Sequence, residues 1–129
     1  MIEIKPSQLN NEINDLLRNT ICDENTFFMA ATDKDELLGV GVIKLYKDYA
    51  VLDDIIFKEE YKMLGLDYSM GKAMLNFIER RSVYDTYAHK SIDENLLTRL
   101  RFVENDDKIT KNYSHYLCLK GYFDVKCDF

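Results

Sequence analysis

Val51-Leu-Asp-Asp-Ile-Ile-Phe-Lys-Glu-Glu-Tyr-Lys-Met-Leu-Gly-Leu-Asp67 runs from a strand through a glycine-bearing turn to the threshold of a helix. Apart from Asp53-Asp54, Val51 to Phe57 is apolar and rich in β-branched residues, which predicts a strand. After the turn, Met70, Ala73, Met74, Phe77 and Ile78 recur at helical spacing and predict a helix from Tyr68 to Arg81. A strand that feeds a glycine loop and a helix N-terminus makes an anion site, because backbone N–H groups and the helix dipole both point there. Gly65 permits the positive φ and close approach such a site needs. Asp67 stands just before the helix and is a good N-cap. A carboxylate satisfying those N–H groups occupies the place an anion would take.

Working toward the N-terminus, Leu37 to Tyr46 and Thr26 to Thr32 are compact apolar runs separated by Asp33-Lys34-Asp35. With Val51 to Phe57 they predict an antiparallel meander. Gly39 and Gly41 inside the middle run mark a bulge or a close backbone approach. Met1 to Lys5 alternates and predicts a first strand. Pro6-Ser7 then predicts a helix start, with Leu9, Ile13, Leu16, Leu17 and Ile21 on its apolar face.

Toward the C-terminus, Val83 to His89 predicts a strand. Ser91-Ile-Asp-Glu94 is a capping box opening a short helix that carries Ile92, Leu96 and Leu100 on one side. Phe102-Val103 begins a further strand. A polar loop leads from Glu104 to about Asn112, and Tyr113 to Phe123 predicts the last strand. The order β-α-β-β-β-α-β-α-β-β implies an α+β fold, a central mixed sheet flanked by helices. The crossover through Tyr68 to Arg81 makes two neighbouring strands parallel. With 129 residues, one proline and no Gly/Ser-rich linker, a single domain over 1–129 is expected.

Composition narrows the function classes. The net charge is −6, which disfavours a nucleic-acid partner and suits a cationic one. No apolar run approaches the roughly 18 residues needed to cross a bilayer. The first residues lack a basic-then-apolar leader, so no membrane partner and a cytoplasmic protein are expected. Cys22, Cys118 and Cys127 have no CxxC spacing, and His89 and His115 sit in no ligand pattern, so neither a disulfide framework nor a metal site is expected.

The stretch 51–67 resembles the central motif of the GNAT superfamily of acetyl-CoA-dependent N-acetyltransferases. Asp53-Asp54 stands where that family often has an acidic pair, and Phe57 takes a valine position. Glu60-Tyr61 matches, Lys62 replaces an arginine, Gly65 matches the first glycine of G-x-G, and Asp67 replaces the second. Asn95 to Val103 is a fainter echo of the family's L-Y-E-K-L-G-F helix end, with Leu97 on its tyrosine and Arg101 on its glycine. The resemblance implies a GNAT-like acyl-CoA N-acyltransferase fold and acetyl-CoA as cofactor. Its pyrophosphate would lie on Lys62, Met63, Leu64, Gly65, Leu66, Asp67 and Tyr68, and its pantetheine arm along Ile55, Ile56 and Phe57. It further implies transfer of an acetyl group to a primary amine on a small molecule or a protein.

Two departures weigh against that activity. Asp67 brings a negative charge to the phosphates, and two like charges about 4 Å apart repel by roughly 1 kcal/mol in water and about 4 kcal/mol at an effective dielectric near 20. Leu97 has no proton for a departing thiolate, so Tyr113 or Tyr116 are the candidate acids. Asp53 and Asp54 are the candidate bases, with His115 as a further one. Strand alternation points the two aspartates to opposite faces, so one of them faces a cleft. The alternative is a catalytically degenerate ligand-binding or regulatory module on the same fold. For either, an exposed strand edge and the tyrosine-rich segment Tyr113 to Phe129 form a candidate homodimer surface.

Overall fold

The computed structural model describes residues 1–18, 20–106 and 113–124. In chain order they form β1 (Ile2–Ser7), α1 (Asn11–Leu16), β2 (Thr26–Asp33), β3 (Glu36–Leu45) and β4 (Ala50–Phe57). A 3-10 segment (Glu59–Leu64) leads to α2 (Asp67–Glu79), β5 (Asp85–His89), α3 (Glu94–Arg99), β6 (Val103–Glu104) and β7 (Tyr113–Cys118). The strands make one seven-stranded mixed sheet, ordered β1-β2-β3-β4-β5-β7-β6. Only β4 and β5 pair in parallel, joined by the α2 crossover. The expected element order and the mixed sheet both hold.

Several boundaries differ from expectation, each for a local reason. Pro6 and Ser7 continue β1 instead of opening a helix. β1 is an edge strand paired only with β2, where a residue without an N–H is tolerated. The helix cap is Asn10, whose side chain accepts the Ile13 N–H at 2.8 Å. α1 ends at Leu16, so Leu9 and Ile21 are exposed and not on its buried face. A helix this short has little stability of its own. Ile13 holds it down, fully buried against Phe28, Val40 and Val42. The last strand stops at Cys118. The chain then turns through Gly121 (φ 76°), and Tyr122 donates its hydroxyl to the Leu100 carbonyl at 2.8 Å. β7 is paired along its length with β5 and, at His115 and Tyr116, with the two-residue β6. Residues 125–129 of the candidate dimer segment, Cys127 among them, lie outside the described residues.

The sheet carries a core on each face. α2 packs Met70, Met74, Leu75 and Ile78 against Ile43, Leu52, Ala88 and Leu117. α1 covers the other face, where Ile13 packs in a cluster with Phe28 of β2, Val40 and Val42 of β3 and Ile56 of β4. Gly39 and Gly41 mark close approaches. A Cβ at Gly41 would lie 2.5 Å from the Met74 sulfur, and one at Gly39 would lie 2.4 Å from the Phe57 ring. Leu97 is fully buried in the α2 core, far from the role of a solvent-facing acid. Arg101 keeps the left-handed backbone of the glycine it replaces, φ 74°. Its N–H bonds Thr98 O and the Phe102 N–H bonds Leu97 O, a Schellman closure of α3.

Thr86 is fully buried, and its hydroxyl is the one described buried side-chain oxygen or nitrogen without a hydrogen-bond partner. Leaving a buried hydroxyl unpaired costs about 1–3 kcal/mol. Thr86→Val keeps the shape and removes the hydroxyl. It should raise the unfolding free energy by about 1 kcal/mol in a urea titration, with an unchanged m-value.

Candidate functional site

β4 pairs with β5 only from Ala50↔Thr86 to Leu52↔Ala88. Past Leu52 the two strands part, leaving one side of Asp53 to Phe57 without a strand partner. On the other side of β4, Val42 faces Asp54 and Ile43 faces Leu52, so Asp53 is an extra, bulged residue. The bulge decides where the carboxylates go. Before it, Leu52 packs in the α2 core, which sets Val51 and Asp53 on the α1 face. After it, Ile56 packs in the α1 core, which sets Asp54 on that same face. The expectation of opposite faces is therefore corrected: both aspartates line one cavity of about 340 Å³, together with Arg18, Thr20, His89 and Ser91.

A second cavity, about 530 Å³, adjoins it and also touches Arg18 and Ser91. It follows the parted strand and is lined by Ile55, Ile56, Phe57, Tyr61, Ile92 and Leu96, with Lys62, Leu66 and Asp67 at the helix end. Of the expected cofactor residues, Ile55, Ile56, Phe57, Lys62, Leu66 and Asp67 thus come together. Met63 and Leu64 point to solvent. Gly65 supplies the left-handed turn, φ 68°. Tyr68 lies beneath the Arg99 guanidinium, 4.8 Å from it, and is not part of the cavity lining.

The two aspartates differ in electrostatics. Asp54 is buried, accepts Arg18 Nη2 at 2.7 Å and also takes the Ile55 N–H at 2.9 Å. Asp53 forms no ion pair among the described residues. Burial pushes its carboxyl above the ordinary range, Lys44 and His89 pull it down, and Asp54 pushes it up. Ser91 Oγ donates to the Asp53 carbonyl at 3.2 Å and lies 3.0 Å from His89 Nδ1. The Ser91 N–H donates to that same nitrogen at 3.1 Å, which places the neutral ring's proton on Nε2. Ser91 is therefore not the α3 cap. Asp93 is, accepting the Leu96 N–H at 3.1 Å.

At the helix end, the expected cap also moves by one residue. Leu66 is the N-cap, already helical in backbone, and Asp67 is the first helical residue. Its carboxylate still accepts a first-turn N–H, that of Tyr68, at 2.9 Å. Lys62 is 2.8 Å from Glu59 on an exposed surface. The cavity has an apolar wall along the parted strand, and Asp67 stands at its helix end.

The candidate acids sit apart from this lining. Tyr116 donates its hydroxyl to Asp85 at 2.5 Å, and that hydrogen bond, then burial, raises its pKa. Tyr113 is raised by burial, by Tyr49 and Tyr46, and by the charge of Asp53. His115 contacts Ser114 Oγ at 2.8 Å and borders a different cavity with Lys90 and Glu104. Among the described residues, no group of three or more His, Cys, Asp or Glu is placed to hold a metal. No described helix is long and apolar enough to cross a membrane. Arg18, Tyr61, His89 and Ser91 are site residues that sequence reasoning missed. His89 ends a parallel strand where the sheet opens and Ser91 follows it, the one signal that marks them.

This is the fold of the GNAT N-acetyltransferases. The spermidine/spermine N-acetyltransferase of Vibrio cholerae superposes with a TM-score of 0.73 at 14% identity, covering 96% of this chain and 98% of that one. A Bacillus subtilis acetyltransferase in complex with CoA gives 0.72 at 18% identity, covering 92% and 99%. The ribosomal-protein-S18-alanine N-acetyltransferase of Escherichia coli gives 0.62 at 16% identity, covering 91% and 90%. No family sequence profile matches the chain, and no curated protein matches it by sequence.

Proposed function

We propose that this chain is a divergent N-acetyltransferase that moves an acetyl group from acetyl-CoA to a primary amine. One observation carries the reading: the apolar cavity along the parted β4 and the cavity holding Asp53 meet at Arg18 and Ser91. That is the arrangement a ternary complex needs, with a donor arm in one cavity and an acceptor in the other. Acetyl-CoA, when bound, supplies an activated acyl carbon and a thiolate leaving group. Ile55, Phe57 and Ile92 hold the arm and exclude water. Asp53 accepts the ammonium proton of the acceptor, since Asp54 is already engaged by Arg18. Ser91 lines both cavities, and its hydroxyl, turned from the Asp53 carbonyl it bonds at 3.2 Å, would protonate the leaving thiolate. Holding both reactants in line supplies most of the acceleration.

The second reading, a ligand-binding module without turnover, draws on Asp67 at the diphosphate end. Calorimetry with acetyl-CoA at low salt, followed by a thiol-release assay over a panel of amines, separates the two. Micromolar binding with amine-dependent thiol release supports the transferase. Binding without release under any amine favours the module, and no binding up to millimolar ligand overturns the transferase and leaves a module whose ligand is not acetyl-CoA.

A further inference from the structure

Three cations lie on aromatic rings along one side of α2 and α3. The Arg99 guanidinium stands 4.8 Å from the Tyr68 ring. Lys72, one turn further along α2, places its ammonium 4.6 Å from the Tyr122 ring and 5.2 Å from that of Phe123. Arg101 lies 3.9 Å from the same Tyr122 ring and donates to the Tyr122 carbonyl at 3.1 Å. Tyr122 and the first turns of α2 thus join the three cations into one patch. Lys5, Arg18, Lys44 and Lys62 each have a carboxylate partner, whereas Lys72, Arg99 and Arg101 form no ion pair among the described residues. On a chain of net charge −6, the patch is a local reversal of sign.

The patch begins where the larger cavity ends. Asp67 lines that cavity and Tyr68 follows it. Leu96 lines it as well, and Arg99 is three residues further along α3. Lys72 is five residues from Asp67, or about 7.5 Å along the helix axis. At the same end, Met63 and Leu64 follow Lys62 of the lining and turn apolar side chains to solvent, 94% and 53% exposed. Methionine, arginine and aromatic side chains are enriched where proteins meet. The cavity mouth itself disfavours a nucleotide. Coenzyme A brings a diphosphate to Asp67, and the lining cations Lys62 and Arg18 are already paired with Glu59 and Asp54. A pantetheine arm attached to a protein serine ends in a single phosphodiester, and its carrier's charges fall outside the cavity.

We propose that Lys72, Arg99 and Arg101 dock an acidic carrier protein, and that the acyl donor is a pantetheine thioester borne on that protein. The proposal rests on the transferase reading above and changes only what bears the arm. The amine nitrogen bonds the thioester carbonyl carbon, the C–S bond breaks, and the proton lost from nitrogen ends on the carrier's thiol.

The test uses the full chain with three donors: an acetylated bacterial acyl carrier protein, acetyl-CoA and acetyl-pantetheine. Thiol release is followed over the amine panel, and calorimetry with the thiol form of the carrier measures docking without turnover. The carrier should be the better donor, with kcat/KM at least tenfold above that of acetyl-CoA. Lys72→Glu and Arg99→Glu should each weaken carrier binding by tenfold or more. Both should leave the rate with acetyl-pantetheine unchanged, which also shows that the variants fold. Carrier binding should weaken steeply as salt rises. A carrier no better than acetyl-CoA overturns the proposal, as does carrier affinity that survives both charge reversals. Carrier binding lost in both variants, with no thiol release under any amine, would sink the transferase and leave the docking surface standing. Release from acetyl-CoA and acetyl-pantetheine with no carrier binding would do the reverse.

Discussion

Asp53→Asn should lower acetyl transfer at neutral pH by roughly a hundredfold to ten-thousandfold, the span of a lost general base, while Asp54→Asn costs far less. Both side chains line one cavity, so position does not separate them. Pairing does. Asp54 is held by Arg18 and by the Ile55 N–H, and its charge is already matched. Asp53 is unpaired among the described residues, and burial raises its pKa from 3.8. A raised carboxylate pKa means the folded state binds the proton more tightly than the unfolded one. Stability then falls as pH climbs from about 3.8 through the folded value. Asn removes that fall, so the variant should melt higher than the wild type at neutral pH while being slower. Its residual rate should climb as pH rises and the free amine fraction grows. The check is a pair of pH–rate profiles and melting curves. Equal rates for the two Asn variants would remove the base from Asp53. A lower melting temperature for Asp53→Asn would show that the carboxylate has a stabilising partner.

The carboxylates and the glycine turn of this site are legible in the sequence, but Arg18, Tyr61, His89 and Ser91, and the geometry that gathers them, are not. Glu60-Tyr61-Lys62 through Gly65 correctly signalled a strand, a left-handed turn and a helix, because those requirements are local: glycine for φ 68°, and an apolar period for α2. The Asp53-Asp54 pair puts two carboxylates in the middle of β4. Their shared face depends on which β3 residue each one opposes, and a one-residue bulge is a property of two strands, not of one. Ser91 and Asp93 are equally good caps by local chemistry. The choice between them falls to the Asp53 carbonyl, which draws the serine hydroxyl into the site. Pro6 misled for the same reason. A proline reads as a break until the sheet shows that β1 is an edge. Tyr113 and Tyr116 are the tyrosines that the sequence offers on the last strand, yet the Tyr116 hydroxyl donates to Asp85.

Asp67→Gly should tighten coenzyme A binding by tenfold or more. The carboxylate lines the cavity at the first turn of α2, where a diphosphate would rest. Like charges about 4 Å apart repel by roughly 1 kcal/mol in water and about 4 kcal/mol at an effective dielectric near 20, a several-fold to nearly thousandfold effect. Lys62 offsets this only in part, since it is an exposed ammonium already 2.8 Å from Glu59. The substitution has a cost. An acidic residue in the first turn favours the helix dipole by about 0.3–1 kcal/mol, so the glycine variant should melt slightly lower. Asp67→Asn separates charge from geometry, because its carbonyl can still accept the Tyr68 N–H that Asp67 holds at 2.9 Å. If repulsion is the cause, Asn gains most of what Gly gains. The gain should also shrink in salt, as the screening length falls to about 10 Å at 0.1 M and to 3 Å at 1 M. If Gly gains and Asn does not, the obstacle is the occupied N–H group. If neither tightens binding, the diphosphate does not rest on α2, and the donor arm must enter the parted strand from elsewhere.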